Sequence, residues 1–348
     1  MASSSTNISN IKVFAESNGA SPIPSIYHSV TDTHDVADHL AASFPVIDFS
    51  LLASDDPQIH TKAVDELANA CADWGFFMLT NHGIPESLMK ELMKISKEFH
   101  DLPVEEKNEY QDNGDTFAPI RHGTSIYPPV ENVHYWRDFL KVFTSPQFYF
   151  PDKPPGYREA AFEYSEKIKA IARKLMQGIS ESLGLESDSI IDSTGFDSGL
   201  HFLVVNMYPP CPQPELALGL PTHSDVGFLA MFIENGLGGL QVKYKGKWVN
   251  VKPIPNSLVV NIGDQLEAVS NGRYLSALHR AILNNKGTRI SIVVFNGPAE
   301  DKEIGPAPQL LEKEKPLFKT IKYRDYFSVQ QKSRFSEERA LDQFRYSA

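Results

Sequence analysis

Leu200-His201-Phe202-Leu203-Val204-Val205-Asn206-Met207-Tyr208 is the stretch in which the hydrophobic period of this chain changes. Upstream, apolar residues recur at threes and fours. Here two parities alternate: Phe202, Val204, Asn206 and Tyr208 share one strand face, and His201, Leu203, Val205 and Met207 share the other. Further strand-like runs follow at 228–233, 257–263, 278–283 and 289–295, and a hairpin is expected to turn near Lys245-Gly246. Short strands punctuated by Gly and Pro predict a double-sheet jelly roll. The expected fold class is therefore α+β with a mostly β core: a double-stranded β-helix braced by N-terminal helices and one long central helix.

Those helices are legible upstream. Val64, Leu67, Cys71 and Trp74 predict an amphipathic helix over 60–74, between strand-like runs at 44–49 and 76–80. Pro85 suits the start of a second helix, with Leu88, Met89, Leu92, Ile95 and Phe99 as its apolar stripe. The longest pattern covers 157–185, where Ala161, Tyr164, Ile168, Ile171, Leu175, Ile179 and Leu183 line one face and Gly184 can end the helix. Residues 111–133 are rich in Gly, Pro, Asp and Asn and are expected to be irregular. The charged segment Tyr323–Arg345 is expected to be helical, packed outside the core or closing its mouth.

Composition narrows the function classes. The 348 residues are 41% hydrophobic and carry a formal charge of −11, which argues against a nucleic-acid or anionic-membrane surface. Cys71 and Cys211 are the only cysteines, so no disulfide framework is expected and a reducing, cytoplasmic setting fits. No apolar run is long enough to span a bilayer. The Ser-rich start, M-A-S-S-S-T, has no Arg and no apolar targeting region, so it reads as a loose beginning rather than a transit peptide.

The candidate chemistry lies between Thr222 and Phe295. His223 and Asp225 are two apart, so on a strand they would share a face, and His279 sits in a second apolar run. Two imidazoles and a carboxylate can bind a metal on one face and leave three positions open, the arrangement of non-haem Fe(II) oxygenases. Arg289 and Ser291 repeat the two-residue spacing, and a guanidinium beside a hydroxyl suits a carboxylate held bidentately. Most histidines on apolar faces are satisfied core residues, so His-x-Asp alone is a weak signal. His82 reads as a turn residue, and His122 and His134 as non-ligands.

The surrounding motifs strengthen it. F-P-V-I-D-F-S at 44–50, D-W-G-F-F at 73–77, N-H-G-I-P at 81–85 and H-Y-W-R-D-F-L at 134–140 cover the first half. Y-P-P-C-P at 208–212, G-L-Q-V at 239–242 and S-N-G-R-Y at 270–274 continue through the second. Across nearly its whole length the chain resembles the plant 2-oxoglutarate- and Fe(II)-dependent dioxygenases. That resemblance implies a leader and arm over 1–43, a helical region over 44–195, a jelly-roll core over 196–300 and a C-terminal segment over 301–348, in one compact and monomeric unit. It implies Fe(II) on His223, Asp225 and His279, and 2-oxoglutarate held by Arg289 and Ser291 with Asn206 and Tyr208 as further donors. Dioxygen would be the second co-substrate and ascorbate an activator. The implied reaction oxidises a small, apolar, ring-containing molecule, most simply by hydroxylation, with release of succinate and CO2.

Matched to flavonoid-acting relatives, the substrate positions are Phe139, Lys141, Val204, Phe295 and Gly297. The last stands where those relatives place a carboxylate and is expected to leave extra room. Asn296-Gly297-Pro298 thus departs from their pattern, which puts a flavonoid reaction in doubt without touching the iron chemistry. Other readings of the same residues are a zinc hydrolase on the triad, which leaves Arg289 and Ser291 unexplained, and a non-catalytic binding protein on the same fold.

Overall fold

Alternation in the second half of the chain produces two facing sheets in the computed structural model, which describes residues 10–19, 21–29, 36–124, 134–333 and 339–347. Twelve strands build them: β1 Val46–Asp48, β2 Phe76–Thr80, β3 Ile120–Thr124, β4 Asp138–Ser145, β5 His201–Tyr208 and β6 Leu218–His223, then β7 Leu229–Glu234, β8 Leu240–Tyr244, β9 Lys247–Val251, β10 Leu258–Ile262, β11 His279–Ile282 and β12 Arg289–Asn296. The larger sheet runs β1-β2-β10-β7-β12-β5-β4-β3 and the smaller runs β6-β11-β8-β9. Apart from the parallel β1–β2 pair, the neighbours in the larger sheet are antiparallel. The two layers enclose a cavity, as a jelly roll does.

One face of the larger sheet packs on helices. Ile290, Ile292 and Val294 of β12, with Leu203 and Val205 of β5, join the main core. The helix Tyr157–Ser182 adds Ala161, Tyr164, Ile168, Leu175 and Ile179 to that core, all fully buried. Each of the Ile and Leu side chains contributes about 1.5–3 kcal/mol by leaving water, so this stripe, not the helix's intrinsic propensity, holds it in place. Helix Pro57–Asp73 starts on Asp56, whose carboxylate accepts from the amides of Gln58 and Ile59, with Pro57 at the first helical position. The β8–β9 hairpin turns through Lys245 and Gly246, both at positive φ, as its two-residue connection requires.

Three segments differ from the sequence expectations. Residues 120–124 are not irregular but form β3, because they pair with β4 from Ile120↔Val142 to Thr124↔Asp138; residues 125–133 lie outside the described set. Asp264–Val269 is a short buried helix without an amphipathic period, so no periodic signal announced it. The C-terminal helix covers Tyr323–Ser333 and a 3-10 turn follows at Ala340–Phe344, with 334–338 outside the described residues.

Candidate active site

His223 ends β6 and His279 begins β11, and the two are direct cross-strand partners. Their rings lie 4.2 Å apart between centroids. Asp225 is not on the strand with His223, as the two-residue spacing suggested, but two residues beyond it in the following turn. It reaches the same point all the same, with one oxygen 3.5 Å from His223 Nε2 and the other 3.5 Å from His279 Nε2. The three side chains offer ligand atoms all within 4.8 Å of one another, and they are the only such group among the described residues.

Their surroundings fit a divalent metal. His223 Nδ1 lies 2.8 Å from the Pro221 carbonyl and His279 Nδ1 lies 3.1 Å from the Ala277 carbonyl. Those contacts put the proton on Nδ1 and leave each Nε2 lone pair facing Asp225, the orientation seen for metal-bound histidines. Asn261 Nδ2 donates to Asp225 Oδ2 at 2.8 Å and fixes the carboxylate. Burial alone would raise the Asp225 pKa, but His279, His223 and Asn261 hold it down at about 2. Burial and the neighbouring His223 push the His279 pKa down to about 4, against the pull of Asp225. At neutral pH Asp225 is therefore a carboxylate and His279 a neutral imidazole, the protonation states metal binding requires.

The strand registers assemble the rest of the cavity. Arg289 lies opposite Tyr208, Ser291 opposite Asn206, Val293 opposite Val204 and Phe295 opposite Phe202. On the other side of β5, Phe139 faces Asn206 and Lys141 faces Val204. Arg289, Ser291, Asn206, Tyr208, Phe139, Lys141, Val204 and Phe295 all line one cavity with the His-Asp-His cluster, an empty volume of about 980 Å³ including its mouth. Phe202 and Phe295 stack at 4.5 Å with 13° between their planes, an apolar wall for a flat ring. Lys141 Nζ sits 4.4 Å from the Phe202 ring centroid and 4.9 Å from that of Phe327.

Gly297 is the exception. It does not line the cavity, and a Cβ built on it would lie 2.6 Å from the Tyr323 hydroxyl and 3.2 Å from the Leu200 carbonyl. It is the point where the C-terminal helix closes on β12, not spare room for a substrate. Phe139 is almost fully buried and still lines the cavity, so packing and pocket roles coincide in one ring. His82, His122 and His134 lie outside the His-Asp-His cluster.

Sequence reading singled out no role for several lining residues. Arg137 was visible inside H-Y-W-R-D-F-L, yet nothing local marked its guanidinium as pocket-facing. It lines the cavity fully buried and donates from Nη1 to Asn206 Oδ1 at 2.8 Å. Glu234 ends β7 and binds Arg289, its Oε2 accepting from Nε at 2.9 Å and Nη2 at 2.6 Å. Arg121 lines the cavity with Asp112 bound bidentately to it. Gln330 and Gln331 of the C-terminal helix cover one side, Gln330 donating to the Ser224 carbonyl at 3.2 Å. Apart from the local Arg121–Asp112 pair, these contacts join segments far apart in the chain, which no periodicity records.

The sequence profile of the 2OG-Fe(II) oxygenase superfamily matches residues 199–298, and that of the non-haem dioxygenase in morphine synthesis N-terminal region matches 44–165. A rice protein (Oryza sativa subsp. japonica), 2-oxoglutarate-dependent dioxygenase 19, is 43% identical over 300 residues, covering 86% of this chain and 89% of its own. The chain belongs to the 2-oxoglutarate- and Fe(II)-dependent dioxygenases. Flavonol synthase/flavanone 3-hydroxylase of Petunia hybrida is 40% identical over 289 residues, 81% of each chain. Among solved structures, JOX2 in complex with 2OG, Fe and JA superimposes with a TM-score of 0.86 at 28% identity, over 97% of this chain and 98% of that one. Membership makes this dioxygenase an iron-dependent oxidoreductase with 2-oxoglutarate as co-substrate and sets aside the zinc hydrolase.

Proposed function

We propose that His223, Asp225 and His279 hold Fe(II), and that Arg289 and Ser291 bind the distal carboxylate of 2-oxoglutarate beside Asn206 and Tyr208. The observation that carries this reading is that both groups of residues line one cavity, with every imidazole Nε2 and the carboxylate turned to a common point. Iron with bound 2-oxoglutarate supplies the activation of dioxygen. The chain's own residues do the rest. The Nδ1 contacts to Pro221 and Ala277 set the two rings, Asn261 sets Asp225, and Gln330 and Gln331 cover the cavity against water.

The oxidised molecule is a small, ring-containing compound of plant specialised or hormone metabolism. Phe139, Phe202 and Phe295, with Val204 and Val293, form the apolar surface for its ring. The petunia relative is named for flavonols and flavanones, and JOX2 is solved with JA. The protein acts as a cytoplasmic monomer, folded as one unit, and ascorbate supports turnover. No helix among the described residues is long and apolar enough to cross a membrane.

The test uses His223→Ala, Asp225→Ala and His279→Ala in the full chain, checked for folding by circular dichroism. Iron content after loading and succinate formation are measured with Fe(II), 2-oxoglutarate, ascorbate and a panel of ring compounds. Each variant should lose iron and succinate formation together. A folded His279→Ala protein that retained both would overturn the assignment.

A further inference from the structure

The ion pair between Arg289 and Glu234 changes the electrostatics of the co-substrate end. Both side chains are buried, at 4% exposure each. Glu234 Oε2 takes Nε and one Nη2 proton of Arg289, and Glu234 Oε1 accepts from the Gly238 amide at 2.8 Å. Arg289 keeps donors on Nη1 and Nη2 for a ligand, since a guanidinium carries five N–H bonds. Its charge, however, is already matched. A second carboxylate arriving there meets a neutral pair and the like charge of Glu234, in a site with little water to screen either.

A second cation stands beside it. The Arg137 guanidinium donates from Nη1 to Asn206 Oδ1, and Asn206 Nδ2 reaches Ser291 Oγ at 3.4 Å. Tyr208 favours the charge on Arg137, and Arg289 lies 5.2 Å from the centroid of the same tyrosine ring. The two arginines thus converge on Tyr208, Arg289 from β12 and Arg137 from the residue before β4. Arg137 Nε is buried with no hydrogen-bond acceptor among the described residues, on a side chain that lines the cavity. The adjacent Asp138 does not answer it. Its two oxygens accept from the amides of Ile11 and Lys12, at 3.0 and 2.9 Å, and from Thr124.

We infer that Arg137 is the second cation of the co-substrate carboxylate site, restoring the positive charge that Glu234 cancels at Arg289. This rests on the proposed role of Arg289 and Ser291. The ligand is the distal carboxylate of 2-oxoglutarate, and the alternative source of the same chemistry is a carboxylate on the primary substrate. Binding measured without primary substrate separates the two.

The experiment titrates 2-oxoglutarate into the Fe(II)-loaded full chain under anaerobic conditions, by calorimetry, for Arg137→Met, Arg137→Lys, Glu234→Gln and Arg289→Lys. Thermal unfolding of each variant is recorded alongside. Arg137→Met should weaken 2-oxoglutarate binding about ten- to a hundredfold, the worth of a charge-assisted hydrogen bond. Arg137→Lys should recover most of the loss, which a merely structural role would not predict. Glu234→Gln should tighten binding severalfold, because it removes the competing charge. Unchanged affinity in Arg137→Met with a clear loss in Arg289→Lys overturns the inference and leaves Arg137 to the primary substrate. If Arg137→Met does not fold, Glu234→Gln decides: no tightening overturns it. Unchanged affinity in Arg289→Lys sinks the underlying reading, a distinct result.

Discussion

Gly297 was expected to open space for substrate, and the structure makes the opposite prediction. A Cβ there would lie 2.6 Å from the Tyr323 hydroxyl, 3.0 Å from Tyr323 Cζ and 3.2 Å from the Leu200 carbonyl. The first two distances are set by a fully buried ring at the start of the C-terminal helix, and the third by backbone. None is the far end of a mobile side chain, so Gly297→Ala must shift the helix or the strand end. Overpacking of this kind costs about 1–3 kcal/mol. Tyr323 offers an internal control, because its hydroxyl is buried with no hydrogen-bond partner among the described residues. Tyr323→Phe removes the nearest obstacle and should itself be close to neutral, since it deletes an unsatisfied polar group. In that background Gly297→Ala should cost clearly less than in the parent. Urea unfolding of the four proteins gives the cycle. Equal cost in both backgrounds, or no cost in the parent, would refute the account. Gly297→Glu should fail more severely and lose the C-terminal helix before any change in substrate preference can be read.

Two further outcomes follow from buried charge. Arg289→Met strands the Glu234 carboxylate at 4% exposure, and breaking a buried pair costs about 3–5 kcal/mol; adding Glu234→Gln should return much of that in urea unfolding. Acid should unfold the protein from below pH 6. Burial lowers the pKa of His100 to about 4 and of His122 and His201 to about 3. Between those values and the ordinary 6.5 the unfolded chain binds more protons, so stability falls as pH falls. Asp264 opposes this, because burial raises its pKa to about 6 and the folded state then holds the extra proton down to the ordinary carboxylate range. With metal holding His279 unprotonated, these three protons against one leave a net loss of about 2–3 kcal/mol from pH 6 to pH 5, and the metal-free protein, in which His279 also titrates low, should lose more. Unfolding midpoints in urea that stayed constant over that unit would contradict it.

What was legible in the sequence was parity. The alternation in β5 and β12 correctly separated Val204, Asn206 and Tyr208 from Leu203 and Val205, and Arg289, Ser291 and Phe295 from Ile290, Ile292 and Val294. A helical stripe was equally readable in Tyr157–Ser182, where one buried face repeats seven times over. The strands β3 and β4 were harder. Arg121 and Lys141 face the cavity while His122 packs against Phe99 and His100, so polar residues at buried positions hide the apolar alternation that a strand normally shows. Asp225 illustrates a different gap. It reaches the histidines from a turn, and its position depends on backbone contacts such as the Asp264 amide on the Asp225 carbonyl at 2.7 Å.

Register was not legible, and it decides the chemistry of the cations. Glu234 meets Arg289 because β7 pairs with β12 so that Ser291 lies opposite Glu234 and Val293 opposite Phe232. A slip of two residues would preserve every parity, yet would set Phe232 opposite Ser291 and carry the carboxylate away from the guanidinium. The same applies to Lys141, which lies across from Val204 and Arg121 by pairing alone. Parity is written within each strand, whereas register is settled between strands by packing and turn geometry. A sequence can therefore show that an arginine faces the cavity without showing whether its charge is available there. In this dioxygenase that difference puts a glutamate against Arg289 and, on the inference drawn above, makes Arg137 a second cation of the proposed co-substrate end.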